Sequence, residues 1–318
     1  TQTIDAKFNE AANFNGSSSV IDISASAGFP SSVYTVSMWL NINDVTAYQG
    51  FFLNVSSSNL TNQIGVVLNS GRIDVYSVVS NNNNTLDKIE TTPQTAFVNN
   101  TWYNVVIIAD RSLTNKVQVF VDNTENTYNY APNSSGTTGY STAKIGFADG
   151  NYFNGKIDQV RIFNTALPAT GTASVATLYT ETTTTASTLN FPAGAGCIAA
   201  YQLDGDASDV GGTYGGVTTD IGYTGFKFTP DLVWIKQRTS PSKDHMLFDT
   251  VRGPSTDLNI LYSNLSNDED NGSSTFLQSI STNALNLGSS NYVNGSSLDY
   301  VAWCWKAGGA PTATNSAG

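Results

Sequence analysis

The chain has 318 residues, a formal charge of −11 and a sequence pI near 4.3. Charged residues make up 12% of it, about half of the ~25% usual in globular proteins, whereas hydrophobic residues reach 40%. An acidic chain without a Lys/Arg cluster excludes a nucleic-acid partner, whose phosphates require a basic surface. No apolar run approaches the ~18 residues of a membrane span, so we expect no membrane insertion.

Residues 1–180 are predicted to form short strands separated by turn residues. The clearest strand runs from Tyr34 to Ile42, where Val36 and Met38 share one face and Trp39 lies on the other. Further strands are predicted at 20–23, 64–68, 72–79, 102–109, 116–121, 143–147 and 156–163, with one helix-like stretch at 173–179. Such short, regularly spaced strands are typical of an antiparallel β-sandwich or jelly roll.

The composition changes after this module. The low-complexity stretch ETTTTASTLNFPAGA predicts a linker over 181–196, and a strand-and-turn segment follows over 197–224. A second β-rich module is predicted over 225–309, with strands at 232–236, 245–248, 258–261, 275–280 and 300–305. Strand alternation places Trp303 and Trp305 on one face and Cys304 on the other. We expect all five tryptophans to lie in the core, because all are in predicted strands.

The two ends of the sequence are those of a segment. It begins at Thr1 without an initiator Met or a signal-peptide pattern, and residues 310–318 are predicted to be a flexible tail. We therefore expect it to be part of a longer protein.

Histidine and cysteine are scarce. The one histidine, His245, excludes the usual His-rich metal sites and most catalytic triads, so we expect it to be structural. The two cysteines, Cys197 and Cys304, are too few for a disulfide framework. They either form one bridge or remain buried thiols, the state that synthesis in a cytoplasm favours.

Four stretches of the first module share one pattern, in the same order. They are AANFNG with VIDI (11–16, 20–23), YTVSMWL (34–40), TWYNVV with VQVFVD (101–106, 117–122) and FNGKIDQVRIFN with AL (153–164, 166–167). This pattern resembles the laminin-G-like, concanavalin-A-like jelly-roll family. The resemblance covers about 180 residues and implies an all-β, laminin-G-like jelly-roll sandwich, followed by a smaller β-rich domain.

The second module carries a different resemblance. The stretches FKFTPDLVWIK (226–236), FDTVRG (248–253) and YVAWCWKAGG (300–309) are similar to a β-rich domain of tail, fibre and other virion proteins of marine bacteriophages. The tandem of both modules implies a bacteriophage protein, because a jelly roll alone does not decide function.

The segment between the modules has a resemblance of its own. Residues 201–216, YQLDGDASDVGGTYGG, look like the strand and turn that normally begin a laminin-G-like domain, which residues 1–16 lack. Two explanations stay open at this point. Either the first strand lies upstream of Thr1, or segment 197–216 fills its place in the sheet by strand addition.

The acidic residues do not form a glycosidase pattern. Jelly-roll glucanases carry paired carboxylates on one strand as E-x-D-x-E, and the sequence has no such triplet. The nearest clusters, 268–270 and Asp204, Asp206 and Asp209, lie in predicted loops, where carboxylates are usually solvated. We therefore predict that the protein is not an enzyme.

Loop aspartates also raise the question of Ca²⁺, which laminin-G-like sandwiches often hold. Asp204, Asp206 and Asp209 are spaced i, i+2 and i+5, while Asp122 and Asp149 lie in loops of the first module. The alternative, which we favour, is that these side chains accept N–H groups of their own turns. Ca²⁺ is the one cofactor that the sequence suggests.

Aromatic and amide side chains in loops bind sugars by ring stacking and hydrogen bonding. The candidates in the first module are Tyr48, Tyr128, Tyr130, Tyr140, Asn151 and Tyr152. The alternative for each is ordinary packing within a turn.

Together these features predict a non-enzymatic surface protein of a bacteriophage virion: a fibre, spike or capsid decoration made in the host cytoplasm. We expect a homo-oligomer among other virion proteins, with the jelly roll bound to host surface glycan by multivalent contacts. The alternatives are a purely architectural subunit without a ligand and, least favoured, a glycan depolymerase.

Overall fold

The computed structural model describes residues 2–24, 33–55, 62–79, 86–93, 96–110, 117–128, 142–225, 228–239, 242–252, 259–270, 275–280 and 284–307. Up to residue 163 its strands are β1 (Gln2–Asp5), β2 (Glu10–Asn15), β3 (Val20–Ser24), β4 (Val33–Ile42), β5 (Gln49–Val55), β6 (Asn62–Asn69), β7 (Arg72–Val79), β8 (Leu86–Thr92), β9 (Trp102–Asp110), β10 (Val117–Val121), β11 (Thr124–Glu125), β12 (Thr127–Tyr128), β13 (Thr142–Ile145), β14 (Phe147–Ala148), β15 (Asn151–Tyr152) and β16 (Asn154–Phe163).

Two one-turn helices follow, α1 (Val175–Leu178) and α2 (Thr183–Ala186). The remaining strands are β17 (Cys197–Tyr201), β18 (Gly216–Thr219), β19 (Gly222–Gly225), β20 (Leu232–Gln237), β21 (Met246–Asp249), β22 (Leu261–Tyr262), β23 (Leu277–Ile280), β24 (Ala284–Leu287) and β25 (Tyr300–Trp305). The predicted all-β class, a sandwich followed by a second β domain, is confirmed. Within the described ranges, no helix is long and apolar enough to cross a membrane.

The chain forms two compact units. The sandwich unit is Glu10–Thr224, and the C-terminal unit combines Thr1–Asn9 with Gly225–Gly318. The sequence predicts that residues 1–9 belong to the jelly roll, whereas in the structure they belong to the C-terminal unit. The reason is that β1 pairs antiparallel with β24, from Gln2 opposite Leu287 to Asp5 opposite Ala284. Because β1 pairs with a strand near the other end of the sequence, residues 1–9 alone contain no pattern that predicts this pairing.

The sandwich unit consists of two antiparallel sheets that face each other. Sheet 1 has the order β11-β10-β9-β4-β16-β2-β19, and sheet 2 has the order β12-β8-β7-β6-β5-β13-β3-β18. Alternating apolar residues of both sheets fill the space between them, among them Val36, Met38, Ile64, Val105 and Ile157. These positions follow from the period of two in a β-strand.

The segment after residue 196 completes sheet 1. Strand β17 pairs antiparallel with β16 from Val160 opposite Tyr201 to Phe163 opposite Cys197, beyond the part of β16 that pairs with β2. This is the pairing that the strand-addition alternative requires. The buried phenol of Tyr201 donates to the carbonyl of Tyr214 at 2.5 Å, which ties the strand to the turn that follows it.

The predicted linker forms part of a packed segment over residues 165–196, the strap, which covers the outer face of sheet 1. Its Leu167, Val175 and Leu178 pack on Val106 and Phe120. The sequence composition of 181–196 indicates a linker because it is polar and repetitive. The structure differs: this stretch is packed, because its backbone carbonyls bind Arg161 and its Phe191 and Ala195 join the apolar cluster.

Those carbonyls bind Arg161, which is fully buried on β16. Its Nε donates to Glu181 Oε1 at 2.6 Å, and its two Nη groups each donate at 2.8 Å to the carbonyl of Thr188 or Thr185. Burial raises the pKa of the Glu181 carboxyl, and the Arg161 cation opposes that rise. The strap is thus attached to sheet 1 by a buried, charge-assisted hydrogen-bond network.

The C-terminal unit contains two small sheets, β1-β24-β23 and β22-β21-β20-β25. Its core includes Val233, Ile235, Phe248 and Leu285, and the Cys304 side chain packs against it. The prediction that all five tryptophans are core residues is wrong for Trp303 and Trp305, whose side chains are 42% and 44% exposed. They lie on the sheet face opposite Cys304, as strand alternation predicts.

We predict that Arg161→Met lowers the free energy of unfolding of the sandwich unit by about 3–5 kcal/mol, because it leaves the buried Glu181 carboxylate and three backbone carbonyls without their donor. Urea unfolding followed by intrinsic tryptophan fluorescence measures the loss. The control is Lys144→Met, which breaks the partly exposed ion pair with Asp22 and should cost less than about 1 kcal/mol. Equal losses for both variants contradict a supporting role for Arg161.

Candidate functional site

A short hairpin, β14 and β15, lies on the outer face of sheet 2. Its turn is Asp149-Gly150, and both residues have positive φ angles, 48° and 74°. A two-residue turn with two left-handed residues matches the twist of the flanking strands, and Asp-Gly is well suited to it. Phe147 therefore pairs with Tyr152, and Ala148 with Asn151.

The hairpin backbone approaches β5 closely at Gly50. A Cβ atom built there would lie 2.1 Å from the amide nitrogen of Ala148 and 2.5 Å from its carbonyl oxygen. Such a contact excludes every side chain, so glycine at this position permits the hairpin to reach its place. At Gly65, a built Cβ meets the Ala148 Cβ at 3.6 Å, an ordinary van der Waals distance.

Two tyrosines converge on the hairpin turn. The Tyr48 hydroxyl donates to Asp149 Oδ2 at 2.6 Å and lies 3.0 Å from the hydroxyl of Tyr76. Because a phenol has one hydrogen to donate, Tyr76 is the donor to Tyr48. Burial and the hydrogen bond to Asp149 raise the pKa of Tyr48 well above its usual range, so the phenol stays protonated.

Further aromatic groups extend the surface along the hairpin. The rings of Phe147 and Tyr152 meet edge to face, with centroids 4.9 Å apart, and the Lys144 ammonium lies 6.0 Å from the Phe147 centroid. The Asn151 amide donates to the Asp149 carbonyl at 2.6 Å. We call the set of Tyr48, Tyr76, Phe147, Asp149, Asn151 and Tyr152 the hairpin surface.

Three of the six predicted sugar-binding residues, Tyr48, Asn151 and Tyr152, belong to the hairpin surface. Tyr128 is the last residue of β12, and its side chain is outside the described part of the structure. Tyr130 and Tyr140 lie outside the described residues.

The sequence does not single out Tyr76 and Phe147, because both lie in strands and not in loops. Packing between strands brings these two side chains to the hairpin surface, and no local sequence pattern predicts that packing. The Asp149-Gly150 dipeptide was the available signal, since it marks a two-residue turn between short strands.

The predicted calcium ligands do not converge. Asp209 accepts four backbone N–H groups, those of Ala200 and Gly211 on Oδ1 and those of Thr213 and Tyr214 on Oδ2, at 3.0–3.1 Å. The other three predicted ligands also accept backbone N–H groups, from Glu10 to Asp204, from Ser208 to Asp206 and from Asn104 to Asp122. The described residues contain no group of three acidic, His or Cys side chains placed to hold a metal ion. These aspartates do not fit a calcium site. Asp206 and Asp209 serve their own turns, whereas Asp204 and Asp122 bind the backbone of distant strands.

The two cysteines are free thiols, so the predicted alternative of a Cys197–Cys304 bridge is not realised. Burial raises the pKa of Cys197, and it raises the pKa of Cys304 to about 11. A raised thiol pKa lowers the fraction of reactive thiolate, which is typical of structural cysteines. Neither is therefore a candidate nucleophile.

Sequence comparison assigns a family to each part of the chain. Residues 15–171 match the concanavalin A-like lectin/glucanases superfamily, and residues 210–318 match a domain of unknown function, DUF7483. Residues 15–171 are thus a concanavalin A-like domain, as the resemblance implied. Neither match links the chain to phage proteins. No curated protein matches the sequence.

Solved structures align with the chain at low identity and with TM-scores below 0.5. A Bacteroides ovatus protein proposed to bind carbohydrate aligns at 16% identity and a TM-score of 0.44, over 69% of this chain and 60% of its own. A heptameric pentraxin from Limulus polyphemus aligns at 12% and 0.41, over 53% and 84%. The sialidase module CBM40 of Ruminococcus gnavus, bound to sialyllactose, aligns at 13% and 0.37, over 49% and 92%. The chain thus spans 60% of the length of the Bacteroides protein.

We predict that Gly50→Ala displaces the hairpin and lowers the free energy of unfolding by about 1–3 kcal/mol, because the new methyl group overlaps the Ala148 backbone. Chemical denaturation measures the loss. Gly65→Ala is the matched control, since its methyl group makes only ordinary contacts, and it should leave stability within about 0.5 kcal/mol. A harmless Gly50→Ala would show that the hairpin does not depend on this close approach.

We also predict that Asp209→Asn destabilises the sandwich unit by at least about 2 kcal/mol. An amide has one acceptor oxygen, so it cannot accept all four backbone N–H groups. Asp206→Asn, which affects an exposed side chain with one such bond, should be nearly neutral. Thermal unfolding of the two variants in the presence of a chelator compares them, and equal midpoints would contradict the structural role of Asp209.

Proposed function

We propose that the sandwich unit binds saccharide through the hairpin surface. The observation that carries this proposal is that Tyr48, Asn151 and Tyr152 meet at one hairpin: Tyr48 and Asn151 bond to Asp149, and Tyr152 packs against Phe147. These residues lie apart from the core between the sheets, and Tyr48 is 36% exposed. Partly exposed aromatic rings beside a carboxylate and an amide supply both contacts that a pyranose requires.

The chemistry of the surface favours neutral sugars. An aromatic ring packs against the apolar C–H face of a sugar, while Asp149 and Asn151 accept or exchange hydrogen bonds with its hydroxyl groups. The Tyr48–Asp149 hydrogen bond orders both groups before a ligand arrives, which lowers the entropy cost of binding. The description of the matched superfamily, which includes lectins, supports this assignment for residues 15–171.

We propose binding without catalysis. Hydrolysis of a glycoside uses two carboxyl groups on opposite sides of the scissile bond. The hairpin surface contains one carboxylate, Asp149, and that group is engaged by Tyr48.

We further propose that the chain acts on the surface of a bacteriophage particle, as an oligomer among other virion proteins. Support comes only from the sequence resemblance of residues 226–236, 248–253 and 300–309, in tandem with the jelly roll. Single sites of this kind bind weakly, and several copies on one particle would gain avidity from one glycan-covered surface. Mass spectrometry of density-purified phage particles should detect peptides of this chain. Their absence would exclude the virion role.

We predict that Tyr48→Ala weakens binding of neutral oligosaccharides about tenfold, a loss of 1.4 kcal/mol, because the aromatic platform is removed. Tyr48→Phe keeps the ring and loses the bond to Asp149, so its loss should be smaller. A glycan array identifies the ligand, and calorimetric titration of each variant gives the affinity.

Tyr179→Ala is the matched control, because Tyr179 is a tyrosine of similar exposure, 41%, in the strap on the other sheet. It should bind like the unaltered chain. Equal losses for Tyr48→Ala and Tyr179→Ala would contradict the site, and an intact chain that binds no glycan of the array would favour the architectural alternative.

A further inference from the structure

A second aromatic surface lies in the C-terminal unit, on the sheet β22-β21-β20-β25. Val233, Ile235 and Phe248 occupy the core face of this sheet, so the opposite face carries Trp234, Trp303 and Trp305. Two of these indoles are more than 40% exposed. A cluster of exposed indoles is rare on a surface without a binding role, because it leaves a large apolar area in water.

The indoles are held in fixed positions. Trp234 Nε1 donates to His245 Nδ1 at 3.2 Å, and its ring centroid lies 5.2 Å from that of Trp303 and 6.4 Å from that of Trp305. His245 thus supports the central indole, which agrees with its expected structural role. We call the three indoles of Trp234, Trp303 and Trp305 the platform. Because the platform is ordered in advance, it loses little entropy when a ligand binds.

One end of the platform opens into a cavity of about 400 Å³. It is lined by Trp303 and Val301 together with Lys236, Gln237 and Arg238. In the part of the chain that the structure describes, no acidic side chain forms an ion pair with Lys236 or Arg238, and the Lys236 ammonium donates to the carbonyl of Lys243. Only 14 of the 318 residues are Lys or Arg, so two cations in one cavity stand out in a chain of charge −11.

We propose that this cavity binds an acidic saccharide, a sugar that carries a carboxylate or a sulfate group. The sugar ring packs on Trp303, and the anionic group pairs with the Arg238 guanidinium, which suits the planar geometry of an oxyanion, and with Lys236. The charge complementarity between the cavity and the ligand argues for this occupant. A second copy of the chain is disfavoured as the occupant, because two chains that each carry a net charge of −11 repel each other.

This site is independent of the hairpin surface, since it is formed by other residues in the other unit and selects for charge. The hairpin surface has aromatic rings and a carboxylate, which disfavours an anionic sugar. The C-terminal unit has indoles and cations, which favour one.

The test is an array of matched oligosaccharides, with galacturonate beside galactose, glucuronate beside glucose, and sulfated beside unsulfated galactose, read with the intact chain. We expect at least one acidic member to bind more tightly than its neutral counterpart, and added salt to weaken that binding. Arg238→Gln and Trp303→Ala should each reduce it at least about tenfold.

The chain offers two matched controls. Tyr179→Ala removes an aromatic ring of similar exposure in the sandwich unit, and Arg252→Gln removes a cation paired with Asp249, outside the cavity. Both should retain most of the binding. Failure of every acidic member to exceed its neutral counterpart overturns the proposal. So does an equal loss for Trp303→Ala and Trp305→Ala that accompanies dissociation of an oligomer in sedimentation, because the face would then join two copies.

The two proposed saccharide sites can be tested independently of each other. Arg238→Gln and Trp303→Ala should leave binding of neutral sugars unchanged, whereas Tyr48→Ala should leave binding of acidic sugars unchanged. Loss of one activity in both sets of variants would contradict the assignment of two sites.

Discussion

The buried contact between Arg161 and Glu181 determines the course of the chain between β16 and β17. The guanidinium takes its remaining hydrogen-bond partners from the carbonyls of Thr185, Ala186 and Thr188, so it holds the polar part of the strap. The apolar side chains of the strap, such as Val175 and Leu178, pack on sheet 1. Because the strap is fixed, the chain returns to β16 at Cys197 and adds β17 to sheet 1. A strand late in the sequence thus completes the sandwich, and the turn around Asp209 secures it with four hydrogen bonds.

The two outer faces of the sandwich consequently differ. The strap covers the outer face of sheet 1, where Tyr179 stacks on Trp39. Sheet 2 carries the small hairpin, which is held close by the absence of a side chain at Gly50. The hairpin leaves aromatic and polar groups partly exposed, because it is too short to bury them. One face is therefore structural, and the other is available to a ligand.

The low charge of the chain has a consequence for both proposed sites. With few ionic groups on its surface, the chain relies on Asn, Ser, Thr and Tyr side chains, which match the hydroxyl groups of neutral sugars. Against that background a pair of cations beside an indole has a distinct selectivity, since nothing acidic in the described residues pairs with it. Separate units of one chain thus present two different kinds of surface.

The sequence by itself determined the all-β class, the main strands of the sandwich and the alternation that separates Trp303 from Cys304. These features depend on residues close together in the chain, whose period of two is visible directly. It also supplied three residues of the hairpin surface, since loop aromatics stand out locally. Only the tertiary structure decided that Tyr76 belongs to the hairpin surface and that residues 181–196 pack around Arg161. It also decided that β1 belongs to the C-terminal unit, and that Lys236 and Arg238 share a cavity with Trp303. Each of these features depends on contacts between residues that are distant in the sequence. The periodicity of a sequence depends only on neighbouring residues, so it cannot predict such contacts.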